Sequence, residues 1–144
     1  MKSEISAQEL GLDLYSGDEK ALFGWFLASY LFGKRISQTI AAQTWRLMFK
    51  SHGHDTPLKV LACGWHGLVR LLREGRYTRY DESTATRLLE VCQILQVEYG
   101  GSIMDIKNKS EGRSDFEKRL LAFKGVGPKT LEIFMRDAGP VLFH

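Results

Sequence analysis

The sequence has few cysteines and no long apolar run. Its 144 residues include two cysteines, too few for a disulfide framework or for the four thiolates of an iron–sulfur cluster. Residues 21–33, the most apolar stretch, are shorter than the roughly 20 residues that cross a bilayer. Residues 1–10 lack the continuous apolar stretch of a secretory signal. We therefore predict a cytoplasmic protein in a reducing setting, with no membrane partner.

Signals for β-strands are also nearly absent, because the apolar residues recur at helical spacing. Hydrophobic residues make up 44% of the chain and charged residues 26%, which is enough apolar surface to fold a domain of ordinary size. The sequence predicts one all-α domain over residues 1–144. The formal net charge of +3 permits an anionic partner without requiring one.

Capping residues and glycines divide the chain into segments. Asp18, Ser37 and Thr56 precede helical patterns and suit the N-cap position, and Pro57 suits the first helical turn. Asp81 or Ser83 caps the longest pattern. A polar stretch over residues 107–114 is interpreted as a link. The pattern predicts a short amphipathic segment over 6–15 and helices over 19–32, 37–49, 58–63, 65–74, 83–98, 115–123 and 128–137.

The most informative segment covers residues 120–134, where one helix ends, Gly125-Val126-Gly127 follows, and Pro128 starts the last helix. The glycines can adopt positive φ and allow another backbone to approach closely, and Val126 can fill the space between the helices. The amides at the start of the last helix have no helical partner and favour an anion. Lys124, Lys129 and Thr130 flank them. A nucleic-acid phosphate fits these features.

The residues of this segment also suggest two other interpretations. A nucleotide-binding P-loop requires glycine directly before the lysine and a preceding strand, whereas Pro128 precedes Lys129 and no strand is predicted. An ordinary helical hairpin, whose glycines only allow a tight turn, remains open.

The segment resembles the helix-hairpin-helix motif of DNA-binding and DNA-repair proteins. The order of the upstream helices, over residues 18–139, resembles the endonuclease III superfamily of DNA glycosylases. This resemblance implies a helical domain with the hairpin at 115–138 gripping the backbone of a duplex, including a damaged one. It also implies that Lys129 is the Schiff-base nucleophile of an abasic-site lyase. The resemblance does not identify the assisting acid, for which Asp137 and Glu132 are the candidates.

The sequence departs from the family in four ways. Tyr30, Leu31 and Phe32 stand where the family commonly has a polar residue that wedges into the gap after the second helix. Up to His144 the sequence has no counterpart of the usual catalytic aspartate, it lacks the four-cysteine cluster loop, and Leu131 stands where alanine is usual. The resemblance is therefore to a shortened form without the iron–sulfur cluster, and we predict no cofactor.

Two further groups of cations are candidates for DNA contact. Arginines recur every third residue from Arg70 to Arg79 among leucines and tyrosines, and guanidinium groups suit phosphate while tyrosines can stack on bases. An exposed, solvated face is the alternative interpretation. From this group we select Arg73 and Arg76. Lys34 and Arg35, at the turn after the second helix, complete the predicted surface because the corresponding turn of the resembling family lies near the lesion.

The sequence does not predict a zinc site. Its candidate ligands are His52, His54, Cys63 and His66, but their spacing is irregular and buried cysteines are common without metal.

Three hypotheses for function remain open on the sequence. They are a glycosylase or abasic-site lyase, a noncatalytic DNA-binding module, and a helical protein-interaction domain. The base or lesion processed and the oligomeric state are not indicated.

Overall fold

The predicted all-α architecture is confirmed. A computed structural model describes residues 4–144, which contain helices and no strand. Residues 1–3, part of the segment compared with a secretory signal, lie outside the described residues. Short 3₁₀ helices cover Gln8–Leu10 and Leu14–Ser16. Seven α-helices follow: α1 Glu19–Phe32, α2 Gln38–Trp45, α3 Pro57–Glu74, α4 Asp81–Tyr99, α5 Ile103–Asn108, α6 Arg113–Leu121 and α7 Pro128–Leu142.

Helix α1 lies at the centre of the core because it is apolar on every side. Every residue from Ala21 to Phe32 is buried, and α2, α5 and α7 all pack against it. Trp25 donates its indole N–H to the carbonyl of Phe134 at 3.1 Å, and Trp45 donates to the carbonyl of Gly24 at 2.8 Å. Two large aromatic side chains are thereby buried with their polar atoms satisfied.

The helix starts follow local sequence closely. The side chains of Asp18, Ser37 and Thr56 accept amide hydrogen bonds at 3.0, 3.1 and 3.2 Å, as predicted. Helix α4 differs, because it begins at Asp81 with Tyr80 at the N-cap and no capping side chain. Helix α2 continues as a π-helical turn over Arg46–Ser51.

Helix α3 is interrupted at Gly64, where φ is 77° and ψ is 172°. Positive φ is accessible to glycine at little cost because it has no Cβ. Residues 57–63 and 65–74 are therefore two helical segments separated at Gly64, in agreement with the helices predicted over 58–63 and 65–74.

Two regions differ from the sequence-based expectation. Residues 6–15 form separate 3₁₀ turns rather than one segment. Helix α5 occupies residues that were not predicted to be helical. Ser102 caps it by accepting the amide of Asp105 at 3.0 Å. The carboxylate of Glu19 in α1 also accepts the amides of Ile103 and Met104 at 2.6 and 3.2 Å and the Ser102 hydroxyl at 3.0 Å. This contact joins parts of the chain more than 80 residues apart.

The segment before α1 docks on α7. The amide of Ala7 donates to Asp137 Oδ2 at 2.7 Å, and Arg136 Nη2 donates to the carbonyl of Ile5 at 2.9 Å. A cleft of about 760 Å³ lies between this segment and α7. Among residues 4–144, no helix combines the length and the apolar character that a bilayer crossing requires.

Candidate nucleic-acid interface

The turn between α6 and α7 exposes its backbone. Phe123 and Val126 are buried beneath it, and the amide of Val126 donates to the carbonyl of Phe123 at 3.0 Å. Gly125 has φ of 90°, as predicted. Gly127 does not adopt positive φ: its φ of −105° and ψ of −174° are extended values that other residues can adopt.

Several amides at this turn have no acceptor within residues 4–144. They belong to Gly125, Gly127, Lys129 and Thr130, and no side chain caps the start of α7. Pro128 has no amide hydrogen, so the amides of Lys129 and Thr130 are the first that α7 presents. They lie at the positive end of a helix of 15 residues, where an anion is stabilised.

The carboxyl end of α1 supports this turn from below. A Cβ added to Gly125 would lie 2.8 Å from the hydroxyl of Tyr30, and one added to Gly33 would clash with Oγ1 of Thr130. Both glycines therefore permit close packing that a side chain would prevent.

Tyr30 lies directly under the turn, and its hydroxyl is buried without a hydrogen-bond partner among the described residues. Burial raises the pKa of Tyr30 to about 12, outweighing the opposite effect of Arg87. The phenol is therefore neutral at physiological pH.

The packing at Gly33 brings two predicted groups of cations together. Lys34 and Arg35 follow Gly33 directly, so they lie beside the turn that carries Lys124 and Lys129. The ammonium of Lys34 lies 5.2 Å from the ring centre of Tyr30. The predicted sites at residues 34–35 and 124–130 are thus neighbours.

Tyr77 of the α3–α4 loop packs against the same end of α1, because its hydroxyl donates to the carbonyl of Leu31 at 2.5 Å. Of the two predicted arginines, Arg76 lies in this loop and Arg73 lies in the last turn of α3. Arg76 has φ of 71°, an unusual value for a residue with a side chain.

Arg73 is paired with carboxylates: its Nε lies 2.7 Å from Asp81 and its Nη2 lies 3.3 Å from Glu82. These contacts raise the pKa of Arg73 and lower that of Asp81. Its charge is therefore compensated in the protein.

Arg87 was missed by sequence reasoning. It lies on α4, and its Cδ and Cγ would be 3.2 and 3.3 Å from a Cβ on Gly125. Its Nη1 pairs with Glu90 at 2.9 Å. The only signal in the sequence is this pairing at a spacing of three residues, which does not indicate proximity to the hairpin.

Lys129 is exposed at the start of α7, with 59% of its side chain accessible, and its Nζ lies 3.8 Å from Glu132 Oε1. Asp137, the other candidate acid, lies about 12 Å further along the helix at 1.5 Å per residue, and it is occupied by Ala7 and Arg136. Asp137 therefore lies too far away to assist Lys129.

The candidate zinc ligands do not form a site. Within residues 4–144, no three His, Cys, Asp or Glu side chains lie together in an arrangement that could hold a metal ion. His52 and His54 stack on each other, with ring centres 6.0 Å apart.

Comparisons of the chain with protein-family models, with curated proteins and with solved structures gave no match.

Proposed function

We propose that this protein binds the sugar–phosphate backbone of duplex DNA through the hairpin Lys124–Thr130, largely without reading sequence. The proposal depends mainly on the unpaired amides of Gly127, Lys129 and Thr130. Main-chain amides at a helix start are well suited to phosphate, and contacts to phosphate fix a protein on DNA without specifying bases.

The surroundings of the amides support a backbone ligand. No protein atom lies within 4 Å of a Cβ built on Gly127, so a strand can approach the peptide plane. Lys124 and Lys129 are exposed on either side. Their positive charge adds to the helix dipole at this position.

The second cationic turn supports a duplex rather than a single bound anion. Lys34 and Arg35 are positioned beside the hairpin by the contact between Gly33 and Thr130. Two neighbouring cationic turns can each contact a different phosphate of the same DNA duplex. A protein-interaction domain, the alternative raised by the sequence, requires no such pairing of amides and cations.

The salt dependence of binding tests the role of the lysines. We expect the logarithm of the association constant for a random-sequence duplex to fall linearly with the logarithm of salt concentration. Replacing both Lys124 and Lys129 by glutamine should reduce that slope by about two, because each phosphate contact contributes roughly one. Fluorescence anisotropy with a labelled duplex measures both values.

The control variant loses the same number of positive charges at a different place on the surface. Arg46 and Lys50 are exposed on the π-helical turn, away from the hairpin, and their double glutamine variant should keep the wild-type slope. An unchanged slope in the Lys124→Gln, Lys129→Gln variant would contradict the proposal.

The pairing of Lys129 with Glu132 favours a second candidate function, that of an abasic-site lyase resembling endonuclease III. An amine at this position would attack C1′ of the opened sugar, and loss of water would give a Schiff base. Glu132, at 3.8 Å, is placed to move the proton that this step requires.

Borohydride trapping tests this second function. Hydride reduces the Schiff base to a stable amine, so we expect a covalent adduct between the wild-type protein and a duplex with an abasic site. The adduct should be absent with Lys129→Ala and reduced with Glu132→Gln. If the wild-type protein binds the duplex but forms no adduct, the protein is a binding module without lyase activity.

A further inference from the structure

A second cleft, separate from the hairpin, lies between the later half of α3 and the start of α4. Its volume is about 360 Å³. Its lining combines the indole of a tryptophan, two arginines and one carboxylate. The lining residues are Trp65, His66, Val69, Arg70, Arg73 and Glu82.

Trp65 presents an indole to this cleft with its polar atom already satisfied. It directly follows the break at Gly64, and its Nε1 donates to Thr86 Oγ1 at 3.0 Å. The hydrogen bond fixes the ring between the two helices. The rest of the indole is apolar and partly exposed, whereas Trp25 and Trp45 are completely buried. An exposed, fixed aromatic ring is suited to stacking.

Arg70 supplies an uncompensated positive charge in the same cleft. It is exposed and forms no ion pair within residues 4–144. Arg73 differs, because Asp81 and Glu82 neutralise it. Arg70 is therefore the guanidinium available to a phosphate, while Glu82, 62% exposed, offers oxygen acceptors for N–H groups.

We propose that this cleft binds an unpaired nucleotide of a DNA strand, with its base stacked on Trp65 and its phosphate on Arg70. A base has a planar face for the indole and N–H groups for Glu82, and its phosphate matches the guanidinium. Because Arg73 is already paired with Asp81 and Glu82, Arg70 is the one guanidinium of this lining that is free among residues 4–144, which suits one phosphate better than a polyphosphate chain.

The position of the cleft connects it to the proposed duplex contact. Thr86, which holds Trp65, is followed in α4 by Arg87, whose Cδ would lie 3.2 Å from a Cβ on Gly125 of the hairpin. This inference extends the proposed function, since a strand leaving the duplex at the hairpin would meet the cleft next. It is tested with single strands, independently of the hairpin.

Tryptophan fluorescence reports directly on Trp65. We expect a short oligodeoxythymidylate to quench the emission saturably, because stacking on a base quenches an indole. Trp65→Phe should lose this quenching while remaining folded, since the buried Trp25 and Trp45 do not meet the ligand. In anisotropy measurements with a labelled strand, Trp65→Ala should weaken binding about tenfold, the size expected for loss of one stacked base.

Arg70→Gln should weaken binding of the strand and lower its salt slope by about one. Arg46→Gln, at an exposed arginine on the π-helical turn, is the matched control and should leave both unchanged. Wild-type protein that shows no saturable quenching would overturn the inference. Quenching that persists in Trp65→Phe, or that occurs with free thymidine monophosphate and not with the strand, would also overturn it.

The hairpin variant Gly127→Phe separates the two proposals. If the duplex does not bind to wild-type protein but the strand still quenches Trp65, the hairpin proposal fails and the cleft proposal stands. If Gly127→Phe loses the duplex binding of the wild-type protein, and the strand does not quench the wild-type protein, the hairpin proposal stands and the cleft proposal fails.

Discussion

Replacing Gly127 by phenylalanine is expected to abolish binding of duplex DNA while leaving the protein folded. The extended φ and ψ of this residue are accessible to phenylalanine, and no protein atom lies within 4 Å of the new Cβ. The side chain would stand where a phosphate must approach the amides of Lys129 and Thr130. Loss of two hydrogen bonds to a charged group, each about 1.5–3 kcal/mol, predicts affinity lowered a hundredfold or more. Anisotropy with a labelled duplex measures the affinity.

The folding control is thermal unfolding followed by circular dichroism, and the binding control is Ala62→Phe on the exposed surface of α3. Both variants should unfold close to the wild-type temperature, because surface substitutions usually change stability by less than about 0.5 kcal/mol. Only Gly127→Phe should lose DNA binding. A folded Gly127→Phe protein with wild-type affinity would remove the hairpin from the interface.

Gly125 is the less informative position for this experiment. Its φ is +90°, and a Cβ there would lie 2.8 Å from the hydroxyl of Tyr30. A substitution would strain the backbone and displace packed atoms, so loss of binding could not be separated from damage to the fold.

Phe134→Ala is expected to lower the free energy of unfolding by about 3–5 kcal/mol, the range for truncating a buried phenylalanine. Phe134 is completely buried in α7. Its ring lies edge-on to Phe26 at 5.8 Å and tilted to Phe116 at 6.5 Å. The loss is a large part of the roughly 5–15 kcal/mol that stabilises a typical domain. Denaturation in urea or guanidinium measures it through the midpoint and slope.

Leu121→Ala is the matched control, since Leu121 lies on α6 with 42% of its surface exposed. This substitution should lower the free energy of unfolding by less than about 1 kcal/mol, because the Leu121 side chain buries little apolar area when the protein folds. A cost for Phe134→Ala no larger than that of Leu121→Ala would show that α7 does not depend on this aromatic cluster.

Local sequence was sufficient to predict most helices. Helix α1 is apolar on all sides, and Asp18 caps it, so both its bounds and its central position could be predicted. The break at Gly64 was also predicted, as the position between the helical patterns over 58–63 and 65–74. Helix α5 was missed although Ser102 caps it locally by accepting the amide of Asp105. The further acceptors for its first amides come from Glu19, which is distant in the sequence.

The candidate site was predictable only in part. The turn between α6 and α7 follows a continuous pattern of glycine, proline and lysine, so its position was predicted without knowledge of the packing. The position of Arg87 beside Gly125 depends on how α4 packs. The ion pairs of Arg73 likewise depend on the loop that brings Asp81 and Glu82 back to α3.

The docking of the first described residues on α7 has a consequence for the hairpin. At its start, α7 carries the open amides, and near its other end Asp137 and Arg136 hold Ala7 and Ile5. The two ends belong to one helix of 15 residues, so both sets of contacts fix its position. The direction in which the open amides point is therefore set both by α1 beneath the turn and by the contacts of Asp137 and Arg136 near the other end of α7.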